Sequence, residues 1–177
     1  MPNRHVVYVP GQATTSAAEP GSLAQRFATI RDELHVPAEF PADVLAAARA
    51  AAAAPPDPCP DLGDVPFWTL DPVGSMDLDQ AMALARDGSG YRVRYAIADV
   101  PSFVVPGGPV DAEARRRGQT VYLPDGRVPL HPTVLSEGAA SLLPGQLRPA
   151  YVWDLRLDAD GELSSTAVAR AMVRSQA

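Results

Sequence analysis

Two stretches near the beginning of the chain have the apolar spacing of helices. Between Ser22 and Leu34 the apolar side chains recur at intervals of three and four residues, which predicts an amphipathic helix. A second helix is expected to begin near Pro41 and to cover the Ala-rich stretch from Val44 to Ala54, where Pro55 stops it. This helical region is expected to be peripheral. Pro, Gly, Ser and Thr crowd on either side of it, which predicts linkers at residues 10–21 and 55–64.

After residue 65 the apolar positions change to the period of two that is typical of strands. Phe67 to Leu70 is a short aromatic and β-branched run that predicts a strand, and the apolar side chains from Tyr91 to Ile97 alternate with polar ones. We expect two hairpins, one with strands 81–86 and 91–99 around a turn at 87–90, the other with strands 151–157 and 163–174 around a turn at 158–161. A short helix is expected from Asp111 to Arg117, where Gly118 ends it. The pattern predicts an α+β fold, with N-terminal helices followed by a mixed, mainly antiparallel sheet.

Composition narrows the class of protein. The chain has 177 residues, no apolar run of the roughly 20 residues that a membrane helix needs, and no signal-peptide pattern at its start, so we expect a cytoplasmic protein. Cys59 is the single cysteine, which excludes an intramolecular disulfide and a multi-cysteine zinc site. The formal net charge of −6 argues against a classical nucleic-acid binder, although an enzyme with acidic metal ligands can have either sign of charge. Arg115, Arg116 and Arg117 are interpreted as a solvated helix face.

Three carboxylates within nine residues carry the clearest chemical signal. Asp77 and Asp79 project to the same side of an extended segment, and the intervening loop could fold Asp71 back towards them. Such a group repels itself unless it binds a cation, and Mg²⁺ prefers carboxylate oxygens together with water and phosphate oxygens. The spacing therefore allows metal-assisted phosphodiester hydrolysis. The alternative is a solvated, turn-forming stretch, whereas a calcium loop of the EF-hand type fits worse because the required glycine and distal Glu are missing.

A protein nucleophile is not indicated by the sequence. His5, His35 and His131 are scattered along the chain, and no Gly-x-Ser-x-Gly elbow occurs. We interpret each histidine as structural or solvated. Hydrolysis by a metal-activated water would need none of them.

An ordered series of motifs over residues 61–174 resembles the catalytic domain of the ribonuclease II and ribonuclease R family. Its opening signature is similar to Asp61–Pro72 followed by Ser75–Ala81, and its strand ending in Ala-Asp-Val is similar to Ala96–Val100. Further similar blocks follow in the same order, at residues 111–114, 117–118, 121–124, 128–130, 135–136 and 141–144. A series of this length is more specific than any one motif. We therefore expect residues 1–60 to be a helical N-terminal region with a Pro-rich linker, and residues 61–177 to be the N-terminal part of an RNB-type catalytic domain, incomplete relative to that family.

The resemblance implies a hydrolytic, processive 3′-to-5′ exoribonuclease that releases nucleoside 5′-monophosphates from single-stranded RNA. The implied cofactor is Mg²⁺, with Mn²⁺ as the alternative. Asp71, Asp77 and Asp79 match three of the four active-site acids of the family, and Asp79 and Asp77 are the expected catalytic carboxylates. Gln80 stands at the fourth acidic position, where its amide oxygen would bind a hard cation only weakly. Tyr122 matches an aromatic residue that stacks on an RNA base, although it could instead be a core strand residue.

Two other interpretations stay open at this point. The chain could be a non-catalytic RNA-binding or scaffold remnant of the same domain, because Gln80 replaces an acid. It could also be a truncated and poorly folded product. The family's domain continues with an arginine-rich motif that this sequence does not contain, so we expect little or no activity from this chain alone. Its positive charge for RNA would then come from elsewhere. The sequence does not indicate an oligomeric state.

Overall fold

The computed structural model describes residues 22–37 and 39–176, and its helices agree with the apolar spacing. Helix α1 spans Leu23–Glu33, α2 spans Ala42–Ala53 and α3 spans Pro109–Arg117. Ser22 caps α1 by accepting a hydrogen bond from the backbone N–H of Gln25, as an N-cap serine does. All three predicted helices are thus confirmed. The linker predicted at residues 10–21 lies outside the described residues.

A four-stranded antiparallel sheet forms the centre of the described chain. Its strands are β1 (Gln80–Asp87), β2 (Gly90–Ala98), β5 (Leu147–Leu157) and β6 (Leu163–Arg174), in the order β1-β2-β5-β6. A separate two-stranded ribbon consists of β3 (Val121–Leu123) and β4 (Gly126–Val128), which sequence reasoning missed. The α+β class and the two predicted hairpins are confirmed.

Tight turns fix the register of both hairpins. Asp87 pairs with Gly90, so only Gly88 and Ser89 connect β1 to β2. Gly90 is needed because a Cβ there would lie 2.0 Å from the carbonyl oxygen of Leu157 on the neighbouring strand β5. In the second turn the Asp158 side chain accepts hydrogen bonds from the backbone N–H groups of residues 160 and 162, which mimics a backbone turn.

One face of the sheet carries small side chains and packs against the segments that precede and follow it. The buried strand residues are mainly alanines, and Phe67, Leu78 and Leu142 pack onto them. Small side chains allow these segments to lie close to the sheet backbone. The buried strand positions are Ala81, Ala83, Ala96, Ala98, Ala150, Val152, Ala171 and Val173.

The strand expected from Phe67 to Leu70 is not formed, and this prediction is wrong. Phe67 and Trp68 instead make isolated bridges, to Ser175 and Met82 respectively. The side chain of Phe67 is fully buried, so its aromatic character reflects core packing rather than membership of a longer strand. Part of the predicted linker at 55–64 also pairs with β6, where Leu62 donates a 2.8 Å hydrogen bond to the Met172 carbonyl.

A second apolar cluster joins α2 to the elements between β2 and β5. Val44 and Ala48 of α2 are buried against Phe103, Val110 and Leu135. Phe103 belongs to the 3₁₀ turn Val100–Phe103, and Leu135 begins a π-helical turn, Leu135–Ala139. The expectation of a peripheral helical region is therefore wrong for α2. The division of the chain into domains at residue 60 stays a prediction. None of the helices in the described part of the chain combines the length and the apolar character that a bilayer crossing requires.

Arg117 corrects the interpretation of the arginine cluster as a solvated face. Its side chain is only 1% exposed and donates a 2.7 Å hydrogen bond to Glu113, which is also buried. Its other guanidinium nitrogens donate to backbone carbonyls of residues 37, 39 and 129, and it stacks on Phe40. Arg115 and Arg116 are exposed, as expected. One arginine thus ties the segment before α2 to α3 and to the end of the β3–β4 ribbon.

We expect Arg117→Met to lower the free energy of unfolding by about 3 kcal/mol, because the backbone carbonyls of residues 37, 39 and 129 lose their guanidinium donor. The buried Glu113 carboxylate then keeps only Arg116 as a partner. Arg115→Met is the matched control. Its exposed ion pair with Asp111 should contribute less than about 1 kcal/mol. Urea denaturation followed by circular dichroism measures both, and equal losses for the two variants would contradict the structural role of Arg117.

Candidate active site

The acidic segment lies where the chain enters β1. Leu78 separates Asp77 from Asp79 and is buried, whereas its two neighbours keep contact with solvent. In this extended segment one side chain therefore anchors in the core while the carboxylates on either side of it face outwards. This alternation explains why Asp77 and Asp79 project to the same side of the segment.

Backbone hydrogen bonds fix Leu78 on both sides. Its N–H donates to the Ser141 hydroxyl at 2.9 Å, and its carbonyl accepts from the Leu142 N–H at 2.9 Å. The Ser141 hydroxyl in turn donates to the Met76 carbonyl at 2.6 Å. Ser141 is 1% exposed, so these bonds are shielded from water. Residues 141 and 142 thereby fix the position of both carboxylates relative to the sheet.

The three aspartates and Gln80 line one open pocket of about 360 Å³, together with Trp68, Leu70 and Tyr95. The pocket brings together every predicted metal ligand. Burial raises the pKa of the Asp79 carboxyl above its ordinary value, and the charges of Asp77 and Asp71 raise it further. The positive charge of Arg127 lowers the same pKa. The carboxylates are thus close enough to repel one another.

Arg127 of β4 is the nearest compensating charge, and sequence reasoning missed it. Its guanidinium donates to the Asp77 carboxylate through Nη1 and to the Glu137 carboxylate through Nη2, the latter at 2.6 Å. All three side chains are about one third exposed. Arg127 stands 50 residues from Asp77 in sequence, so no local pattern could have indicated the pair.

A second pocket, of about 400 Å³, adjoins the first and shares Asp77, Asp79 and Gln80 with it. Tyr122 and Arg127 line its other side. Tyr122 is 73% exposed, so it is not a core strand residue and its ring is free to stack on a ligand. His131 also lines this pocket, and burial lowers the pKa of its imidazole. His35 hydrogen-bonds to the Glu33 backbone, and His5 lies outside the described residues.

Gln80 is held by a neighbour on the adjacent strand. Its side-chain oxygen accepts a hydrogen bond from the Tyr95 hydroxyl, and both residues line the first pocket. The amide oxygen predicted as a weak metal ligand is therefore already engaged by a neutral donor. Any cation bound at this position would share that oxygen with Tyr95 or displace the hydroxyl.

The donor set suits a hard cation by its chemistry, because it consists of carboxylate and amide oxygens around one pocket. The geometry does not yet close around a single point. Within residues 22–37 and 39–176, no group of three or more His, Cys, Asp or Glu side chains has the arrangement of a metal site. Asp77 is bound to Arg127, and Asp71 lies in an exposed loop. Cation binding would thus require these two carboxylates to reorient.

Comparisons with known proteins find similarity to one protein family. The family model described as "RNB domain" matches residues 60–177. The chain is 30% identical over 180 residues to ribonuclease R of Acidithiobacillus ferrooxidans, an alignment that covers 99% of this chain and 39% of that protein. It is 38% identical over 118 residues to a protein of Arabidopsis thaliana named inactive exonuclease DIS3L2, covering 65% of this chain and 11% of that one.

A solved structure has a similar fold. Ribonuclease R of Mycoplasma genitalium in complex with double-stranded RNA superimposes with a TM-score of 0.78 and 28% sequence identity. The match covers 85% of this chain and 28% of that one. The chain therefore spans well under half the length of the proteins it resembles.

We expect Ser141→Ala to lower the free energy of unfolding by about 1–3 kcal/mol, because the Leu78 N–H and the Met76 carbonyl lose a buried partner. Ser164→Ala is the control, since that exposed hydroxyl also donates to a backbone carbonyl. Thermal and urea denaturation would show the difference. A Ser141→Ala variant as stable as Ser164→Ala would mean that Ser141 does not hold the acidic segment.

We expect Asp79→Asn to raise the Tm in EDTA at neutral pH. A raised pKa means that the folded chain holds the Asp79 proton more tightly than the unfolded chain does. The stabilisation from protonation is complete below the unfolded pKa of about 3.9 and is lost as the pH rises through the folded pKa. The asparagine variant removes this loss, so its advantage should shrink as the pH falls towards that value.

Calorimetry over a series of pH values measures the effect, with Asp57→Asn as the control for an exposed aspartate outside the helices and strands. A variant that is less stable than the wild type at neutral pH without cations would show that Asp79 is not under electrostatic strain.

Proposed function

Because the chain belongs to the RNB domain family, we propose that residues 61–177 form the N-terminal part of the catalytic domain of a magnesium-dependent 3′-to-5′ exoribonuclease. Its proposed substrate is single-stranded RNA, and its products are nucleoside 5′-monophosphates. The observation that carries this proposal is the pocket that Asp71, Asp77 and Asp79 share, where desolvation, and then the charges of the other two carboxylates, raise the pKa of Asp79. A concentrated negative charge next to an exposed aromatic ring suits a cation and the end of an RNA strand.

Each residue of the pocket has a distinct proposed role. Asp71 and Asp77 would hold Mg²⁺, with Asp79 as a further ligand and the Gln80 oxygen as a weak one. Magnesium bound there would lower the pKa of a coordinated water and stabilise charge on the phosphate. Asp79 lines both pockets, as Asp77 and Gln80 do, which supports a role in which its carboxylate accepts a hydrogen bond from the attacking water and orients it.

Tyr122 is proposed to bind the RNA rather than to act on it. Its exposed ring borders the pocket that contains Asp77 and Asp79, so a base stacked on the ring would bring its phosphate near the carboxylates. Stacking contributes about 1–3 kcal/mol per base and tolerates any base. A degrading enzyme needs this tolerance, because it must accept each successive nucleotide.

The alternative proposal is a non-catalytic RNA-binding or scaffold module. Two features favour it: Gln80 stands at a position where the family resemblance implies an acid, and Arg127 forms an ion pair with Asp77. A relative whose name includes the word inactive shows that similarity of this degree does not guarantee activity. Such a module would bind RNA in chelator with an affinity set mainly by salt.

Digestion of a 5′-labelled single-stranded RNA distinguishes the two proposals. The enzyme should produce, with Mg²⁺, a ladder that shortens from the 3′ end and disappears in EDTA. Asp79→Asn should slow cleavage by about 10²-fold or more, as expected for loss of a positioned catalytic carboxylate, while RNA binding persists. Asp43→Asn is the matched control and should cut at the wild-type rate.

Cleavage by Asp79→Asn at the wild-type rate would contradict the assigned role of Asp79. Binding without cleavage by the folded wild-type chain, unaffected by EDTA, would favour the non-catalytic module.

A further inference from the structure

Arg127 and Tyr122 form a cross-strand pair on the β3–β4 ribbon. They lie directly opposite each other in the register, so their side chains are on the same face. Both side chains line the pocket that contains Asp77 and Asp79. An arginine therefore lies beside the ring that is proposed to stack on an RNA base. Arginine is well suited to bind phosphate because its planar guanidinium presents several N–H donors.

The guanidinium of Arg127 is occupied by carboxylates in this structure. Asp77 accepts from one of its terminal nitrogens and Glu137 from the other. Glu137 is fixed in the π-helical turn whose first residue, Leu135, is fully buried. The contact with Asp77 thus connects the ribbon to the acidic segment, and the contact with Glu137 connects it to the second core cluster.

A separate ion pair holds the ribbon at its turn. Arg31 of α1 donates to Asp125 at 2.6 Å. Asp125 lies between β3 and β4 and does not line either pocket of the acidic site. If the contact between Arg127 and Asp77 is broken, the ribbon therefore stays attached at its turn through Asp125 and at its end through Arg117. This makes it possible for Arg127 to change partners while Tyr122 stays near the pocket.

A divalent cation and the Arg127 guanidinium compete for the Asp77 carboxylate, because both are positive and both bind its oxygens. We propose that Arg127 is a phosphate-binding residue, released from Asp77 when the cation binds, and that it then contacts the RNA phosphate next to the base stacked on Tyr122. This inference rests on the proposed function. Without the cation, the positive charge of Arg127 pairs with the Asp77 carboxylate. With the cation and RNA bound, it pairs with an RNA phosphate, so the charge of Arg127 has a partner in both states.

The exchange couples the two ligands. If the cation frees Arg127 for RNA, it must raise RNA affinity, and RNA must raise cation affinity by the same factor. Arg127→Gln removes the competitor for Asp77 and the phosphate contact together. Its cation affinity should therefore equal or exceed that of the wild type. The cation should raise its RNA affinity less than it raises that of the wild type, because only the direct effect of the cation on the phosphate is left.

Two titrations test the proposal on the whole chain. Isothermal calorimetry measures binding of Mg²⁺ or Ca²⁺ alone, and fluorescence anisotropy measures binding of a labelled single-stranded RNA with and without the cation, with the RNA checked for integrity on a gel. We expect the cation to tighten RNA binding by the wild type about 5-fold or more, within the usual range of such couplings. For Arg127→Gln the gain should be smaller than that of the wild type by about 2-fold or more.

Arg31→Gln is the matched control, because it removes the other ion pair of the ribbon and leaves Arg127 in place. It should keep the wild-type gain. Arg127→Lys retains the charge but cannot present two parallel donors, so an intermediate gain is expected. Circular dichroism checks that each variant is folded, and Arg127→Lys decides the question if Arg127→Gln does not fold.

The results separate failure of this inference from failure of the proposed function. A wild-type gain that Arg127→Gln retains in full would overturn the role of Arg127 and leave the proposed function intact. Cation binding by the wild type with no gain in RNA affinity would overturn the coupling in the same way. Absence of cation binding in the wild type and Arg127→Gln alike would overturn the proposed metal site, and the inference with it.

Discussion

The position of the candidate site depends on the burial of one side chain, Leu78. An extended backbone alternates its side chains, so anchoring Leu78 in the core directs Asp77 and Asp79 away from it. The hydrogen bonds of Leu78 to residues 141 and 142 leave no freedom to slide by one residue, because a one-residue shift would place a carboxylate in an apolar core. Core packing and the chemistry of the site are therefore consequences of the same constraint.

The sheet accommodates this anchor because its inner face is made of small residues. Ala81 pairs with Ala96 across β1 and β2, and Ala98 pairs with Ala150 across β2 and β5. The side chains that pack onto this face, such as those of Phe67 and Leu142, are larger. Larger residues on the strands would push the acidic segment outwards and change the spacing of its carboxylates. The many alanines of the strands, which are poor strand formers on their own, are explained by this close approach.

Sequence reasoning succeeded where structure is local. Both hairpins of the sheet have turn residues between alternating strands, and α3 ends at Gly118, whose φ of 77° favours glycine. It failed where tertiary contacts determine whether a residue is buried or paired in a strand. Arg117 looks like any arginine of a charged helix face, and only the carbonyls of distant segments make it a buried residue. The ribbon of β3 and β4 has three residues per strand, too few to show a period.

The same distinction between local patterns and tertiary contacts applies to the charged residues of the candidate site. The three aspartates could be found because they are close in sequence, whereas Arg127 and Glu137 come from segments that only the fold brings to them. A net charge of −6 suggests a surface that repels RNA, but the relevant quantity is the charge within reach of the substrate. The single guanidinium of Arg127 is surrounded by four carboxylates, those of Asp71, Asp77, Asp79 and Glu137, so a bound divalent cation would reduce a local excess of negative charge. A binding cleft for a polyanion can thus exist on an acidic chain, provided that its positive charge includes a bound cation.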